Sequence, residues 1–122
     1  MKIRIKGNSI RMRLSKSEVN RLGSEGYLEE QTQFVGRALV YALRSMTDTE
    51  QLSADFSDNK ITVFAPEAFL KSWPKNEVVG IDAHMPVTDT DSLYILIEKD
   101  FVCLDATSED QSDNFENPNK TC

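Results

Sequence analysis

Five cations near the start of the chain alternate with apolar residues. Lys2, Arg4 and Lys6 interleave Ile3 and Ile5, and Arg11 and Arg13 interleave Ile10, Met12 and Leu14. In extended strands this alternation puts the cations on one face and the apolar side chains on the other. The chemistry on offer is therefore recognition of an anion by two aimed stripes of Lys and Arg. Gly7-Asn8 between the stripes suits a two-residue turn with positive φ at its first position. The resulting hairpin pairs Ile5 with Ile10 and Ile3 with Met12, and it also sets Arg4 opposite Arg11 and Lys2 opposite Arg13. Like charges facing across a ladder destabilise it by roughly 0.2–1 kcal/mol per pair, so the hairpin calls for a counter-charge. The first 22 residues hold seven cations against one acid, Glu18, whereas the whole chain carries −6. The counter-charge is either the protein's own acidic remainder or an external anion.

Glu98 and Asp100 are the best-placed internal candidates. They stand two residues apart in the apolar segment Leu93–Leu104, so as a strand it shows both carboxylates on one face, able to meet the stripes from a neighbouring strand. Lys99 falls on the opposite, apolar face with Cys103. Such a lysine either snorkels at the end of a sheet or has a lowered pKa and serves as an amine or as a site for an acidic ligand. Asp82 precedes His84, the only histidine, by two residues on one face, as a carboxylate orienting a general base would. A metal site would have to be gathered from His84, Cys103 and Cys122 with a carboxylate. There is no second histidine and no short-spaced cysteine pair, so no metal is expected. The chain has no hydrolase elbow, phosphate-binding glycine loop, dinucleotide fingerprint or calcium loop. No cofactor is expected, and the balance is against an enzyme.

The elements that must position these residues read as follows. Ser15-Lys16-Ser17-Glu18 is a capping box, opening a helix expected to run to about Leu22 and stop at Gly23. Tyr27–Phe34 and Arg37–Arg44 alternate as a strand pair. Leu52–Phe56 and Ile61–Ala65 flank Asp58-Asn59, a turn that places Phe56 opposite Ile61 and Ala54 opposite Val63. Pro66 at a first helical position opens a second short helix, closed by Pro74. Val78–Met85 alternates again, before the last strand. No internal repeat stands out. The fold expected is one α+β domain over residues 1–104, mainly antiparallel sheet of about seven or eight strands with two short helices. An acidic polar tail, partly ordered at most, follows over 105–122, and a sharper expectation is that it folds back over the basic hairpin.

No apolar run is long enough to span a membrane, and the start lacks the apolar core of a secretory signal. Two cysteines are too few for a disulfide framework. A cytoplasmic protein with reduced thiols is expected.

Over nearly the whole chain, GNSIRMRLSKSEVNRL, LSADFSDNKITVFAPEAFLKSW and IEKDFVCLDATSEDQSDNFENPN resemble a family of short bacterial proteins known only as a domain of unknown function. Locally, Ile5-Lys6-Gly7-Asn8-Ser9 with Arg13-Leu14-Ser15-Lys16 and the following helix is similar to the start of AbrB/MazE-type antitoxins and transition-state regulators. Those are swapped-hairpin dimers that bind DNA. The likeness implies phosphate and base contact by Arg4, Lys6, Arg11 and Arg13, although the usual Trp before Gly7 and the usual Pro at Ser15 are missing. Charge argues against nucleic acid, since the chain is acidic overall and its cations are confined to one end. The reading that results is a small binding or regulatory module. Its cationic sheet face is neutralised by its own acidic strand and tail or by a small anion, with a protein partner also open. The alternatives are an AbrB-like regulator and a small enzyme using Lys99, Cys103 or Asp82-His84.

Overall fold

The computed structural model describes residues 1–101 and 113–115. The alternating segments become eight strands and the two capped segments become short α-helices, in the order β1 (Lys2–Ile5), β2 (Ser9–Leu14), α1 (Lys16–Glu25), β3 (Tyr27–Phe34), β4 (Arg37–Met46), β5 (Ser53–Ser57), β6 (Lys60–Pro66), α2 (Glu67–Ser72), β7 (Gly80–Pro86) and β8 (Ser92–Lys99). The result is one small α+β domain of two four-stranded sheets, ordered β1-β2-β8-β7 and β3-β4-β6-β5. Four pairings are antiparallel hairpins, with Ile5 opposite Ile10, Arg4 opposite Arg11, Phe56 opposite Ile61 and Ala54 opposite Val63, as the turns demand. One parallel pairing completes each sheet, β2 with β8 and β4 with β6.

Several boundaries differ from the sequence expectation. Helix α1 does not stop at Gly23 but continues to Glu25, ending on Gly26 in the left-handed region at φ 74°. Gly23 serves packing instead: a Cβ there would lie 2.9 Å from the Leu70 carbonyl oxygen, so its absence lets α1 lie against α2. Pro66 ends β6 and caps α2 without entering it, and Pro74 sits inside a 3-10 turn, Trp73–Lys75, that prolongs the helix. The last strand stops at Lys99. Beyond it Asp100 N–H donates to the Leu14 carbonyl (2.8 Å), and the Asp100 carbonyl accepts from Phe115 N–H (2.8 Å), so the chain is tied down by a returning segment. Cys103 and the rest of the expected strand lie outside the described residues.

Period-two burial gathers both sheets onto one core. Ile10, Met12, Leu14, Ile95 and Ile97 of the first sheet meet Leu28, Leu43, Ile61, Val63 and Ala65 of the second. Val19, Leu22, Leu70 and Trp73 from the helical segments join the same cluster. Burying such side chains is worth roughly 1.5–3 kcal/mol each, which is why strands with polar outer faces hold together.

The chain is a structural repeat. β1-β2-α1-β3-β4 and β5-β6-α2-β7-β8 have the same connectivity, and each unit lends its first hairpin to the sheet holding the other unit's second hairpin. Register confirms the match. Ile10 pairs with Ile95 as Ile61 pairs with Tyr41, and Met12 with Ile97 as Val63 with Leu43. Ser45 N–H donates to the Gly26 carbonyl, as Lys99 N–H does to that of Val79, both at 2.9 Å. Between β2-α1 and β6-α2 the only identity among matched residues is Ile10 with Ile61, so no repeat shows in the sequence.

Candidate anion-binding face

The outer face of the first sheet is a grid set by three pairings. One row reads Lys2, Arg13, Glu98, Gly80, and the next reads Arg4, Arg11, Leu96, Asp82. Parallel pairing of β2 with β8 thus delivers Glu98 beside both arginines of the inner stripe. A single Glu98 carboxylate oxygen accepts from Arg11 Nε at 2.7 Å and Arg13 Nε at 2.8 Å, with an Arg11 terminal nitrogen at 2.6 Å. The Glu98 side chain is only 13% exposed. Partial burial strengthens charge-assisted hydrogen bonds, and the carboxylate offsets the repulsion built into the hairpin register. Lys2 meets the largely buried Asp100 at 3.1 Å.

Arg4 and Lys6 are different. Among the described residues neither has a carboxylate within ion-pair distance. Both line a depression of about 400 Å³ on the same face, together with Ser9, Arg11, Tyr94 and Leu96. Its charged lining is cationic, and the two hydroxyls that border it are already engaged, Ser9 donating to the Lys6 carbonyl at 2.6 Å and Tyr94 to Asp82 at 2.8 Å. Sequence reasoning placed the cations here but missed Ser9, Tyr94 and Leu96. Alternation did put Tyr94 and Leu96 on the face of Glu98, but which strand β8 would border had no local signal.

Asp82 and His84 do not form the pair that their spacing suggested. The Asp82 carboxylate accepts from the Tyr94 hydroxyl at 2.8 Å, which pushes the Tyr94 pKa above its ordinary value. The His84 ring packs on that of Tyr94, centroids 4.9 Å apart. The imidazole is a lateral neighbour of the tyrosine, and Asp82 is engaged elsewhere. Cys103 and Cys122 lie outside the described residues, and no three metal-ligating groups come together among those described.

Lys99 does not snorkel. It is 5% exposed, points into the core side of β8 and donates to the Asn76 carbonyl at 2.8 Å. Its ammonium lies 4.9 Å from the Phe115 ring centroid and 6.0 Å from that of Trp73. Burial pulls its pKa below the ordinary lysine value, with Glu77 opposing. Walled by two rings and a carbonyl, this amine contributes to structure.

The described part of the tail docks on the body. Asp113 takes Lys16 N–H on its carbonyl (2.9 Å) and the Ser17 hydroxyl on its carboxylate (2.6 Å), at the start of α1. The Ser17 and Ser15 hydrogen bonds hold the Asp113 pKa below the usual aspartate value. Phe115 packs edge-on to Phe101, with centroids 5.9 Å apart. This segment thus covers Lys99 and the first turn of α1.

On the second sheet's outer face a lysine is answered locally. Lys60 donates to the Tyr27 hydroxyl (2.7 Å) and meets Glu29 at 3.2 Å, and Tyr27 donates to Glu29 (2.6 Å). The positions matching Arg4, Arg11 and Arg13 are Asp55, Thr62 and Phe64, so the cationic depression belongs to one half only. No helix among the described residues is long and apolar enough to cross a membrane.

No curated protein and no solved structure matches this chain. The model of a family of unknown function, DUF7009, matches residues 1–119, and the chain belongs to that family.

Proposed function

We propose that the protein is a small binding module whose first-sheet outer face takes an anion at Arg4 and Lys6. The observation that carries this reading is the division of labour among the cations. Glu98 engages Arg11 and Arg13, while Arg4 and Lys6 border a depression without a carboxylate partner among the described residues. A guanidinium and an ammonium at a shallow recess suit a compact, multiply charged oxyanion such as a phosphate ester. Calorimetric titration with pyrophosphate tests it. Saturable binding is expected, weakened about tenfold or more in Arg4→Ala/Lys6→Ala, since each charge-assisted contact is worth about 1.5–3 kcal/mol. Equal heats from wild type and the double variant would end the proposal.

A second reading, a DNA-binding regulator of the AbrB kind, is favoured by one observation. Two ββαββ units exchange hairpins in this chain, the arrangement that the N-terminal likeness implies for a dimer. Against it, the second unit has Asp55 and Thr62 where the first has Arg4 and Arg11. A titration with duplex DNA at about 50 mM salt separates the two readings, because phosphate contacts are strongest when few counterions compete. Binding there that falls steeply with salt supports the regulator, and none excludes it.

A further inference from the structure

Strand β3 is an edge of the second sheet, and residues 29–34 are exposed along it. Which of its backbone groups are open follows from β4. Val40 N–H turns away from β3 to donate to the Asn59 carbonyl at 3.0 Å, and Ser45 N–H turns the other way to donate to the Gly26 carbonyl at 2.9 Å. Antiparallel ladders alternate, and Gln31 stands opposite Val40, so the N–H and C=O groups of Glu29, Gln31 and Gln33 point away from β4. None of them has a backbone partner among the described residues. The other three edges carry features that keep strands apart. β1 bears Lys2 and Arg4, β5 is five residues long with Asp55 at its centre, and β7 runs from Gly80 to Pro86. β3 is eight residues long and contains no Lys, Arg, Pro or Gly. At its far end Phe34 is 57% exposed.

We propose that β3 pairs with β3 of a second copy of this chain, antiparallel about a two-fold axis at Gln31, joining the two second sheets edge to edge. Charge selects a second copy. Glu29 and Glu30 lie in the first half of β3, whereas Gln31, Thr32, Gln33 and Phe34 make a neutral second half, so antiparallel self-pairing lays the acidic half on the neutral one. Charge also selects the register. With the axis at Gln31, Glu29 faces Gln33 of the second copy, Glu30 faces Thr32 and Leu28 faces the exposed Phe34. An axis at Glu29 or Glu30 sets like carboxylates face to face, which destabilises a ladder, and an axis between two residues leaves the open N–H groups unmatched. At Gln31, every open N–H of Glu29, Gln31 and Gln33 meets an open C=O of the other copy. Both carboxylates are answered within their own protomer, Glu29 by Lys60 at 3.2 Å and Glu30 by the Met1 amino group at 2.9 Å. The edge shares no residue with the Arg4 depression.

Sedimentation velocity of the full chain over a dilution series tests this, and a reversible monomer–dimer equilibrium is expected. Gln31→Pro removes an N–H that β4 does not use, so the fold should survive and the dimer should not. Gln31→Lys, which sets two ammonium groups face to face at the axis, should also weaken it and serves if the proline variant is unstable. Gln33→Lys places a cation opposite Glu29 at both ends of the ladder and should tighten the dimer by about 2- to 30-fold. A chain that is monomeric at every concentration would leave the edge to another protein's strand and overturn the proposal. A dimer indifferent to Gln31→Pro and Gln31→Lys would place the contact elsewhere, and one that Gln33→Lys fails to tighten would break the register. Either result overturns it.

Discussion

At the scale of single residues, Glu98 decides the character of the cationic face. It is mostly buried and accepts from two arginines through one oxygen. Removing its charge leaves Arg11 and Arg13, each facing another cation across the hairpin, without that answer. Glu98→Gln is expected to destabilise the fold by about 1–2 kcal/mol, less than a fully buried pair would cost because the arginines are a third or more exposed. Chemical denaturation in low and high salt checks this, and the loss should shrink as salt screens the released repulsion. Lys99 gives a prediction of opposite sign. Its folded-state pKa lies below the unfolded value, so between the two the unfolded chain binds more protons and stability rises with pH. The burial penalty is present below the folded pKa and is relieved as pH climbs through it. Lys99→Met should stabilise the protein near neutral pH by about 1 kcal/mol, as apolar replacements of buried charges often do. Its advantage should narrow in denaturation curves taken at alkaline pH. A variant weaker than wild type at every pH would show instead that the Asn76 hydrogen bond outweighs the cost of burial.

At the scale of elements, α1 rests on two features of different kinds. Its start is written locally: the Ser15 hydroxyl and Glu18 carboxylate satisfy each other's backbone N–H groups, and Glu18 also meets the amino terminus of Met1. Its length is not local. Gly23 would ordinarily weaken a helix by about 1 kcal/mol relative to Ala. Contact with α2 makes the missing Cβ useful, because Leu70 and Pro74 occupy the space. Gly23→Ala should therefore destabilise by about 1–3 kcal/mol despite better helix propensity, through overpacking. A thermal melt that rises instead would show that the helices separate at little cost. The tail's latch belongs to this scale too. Asp113→Asn should speed amide exchange at Lys16 and Phe115 while leaving the sheet amides protected. In wild type the same loosening should appear as pH falls through the depressed Asp113 pKa, since its contribution exists only while the carboxylate is charged.

At the scale of the whole molecule, exchange of hairpins makes the two units inseparable. Each sheet needs strands from both, so neither half can bury its apolar face alone. Unfolding should be a single cooperative transition, with far- and near-ultraviolet dichroism changing together. Cutting the chain within the connection 47–52 should give fragments that are unstructured apart and fold when mixed. A stable folded monomer from either fragment would contradict the exchanged topology. The same structural repeat accounts for the asymmetry of function proposed here. One frame is used twice, and among the described residues the row Arg4, Arg11 of the first sheet is matched in the second by Asp55 and Thr62.

The sequence by itself determined every hairpin register tested, because period-two alternation and two-residue turns are local and a slip of one residue would expose the whole apolar face. It determined the capping box, the inward and outward sides of β8 and the need of Arg4, Arg11, Lys2 and Arg13 for counter-charge. Only tertiary structure decided which carboxylate would answer. The β2-β8 pairing joins residues more than eighty positions apart and is set by closing one core between two sheets, for which no short segment carries a signal. It likewise buried Lys99, gave Asp82 to Tyr94 in place of His84, and brought out a structural repeat that no side-chain pattern marks. Backbone register and core size constrain such a repeat, and both are met by many apolar residues; Ile10 and Ile61 alone remain the same along the strand and helix that define it.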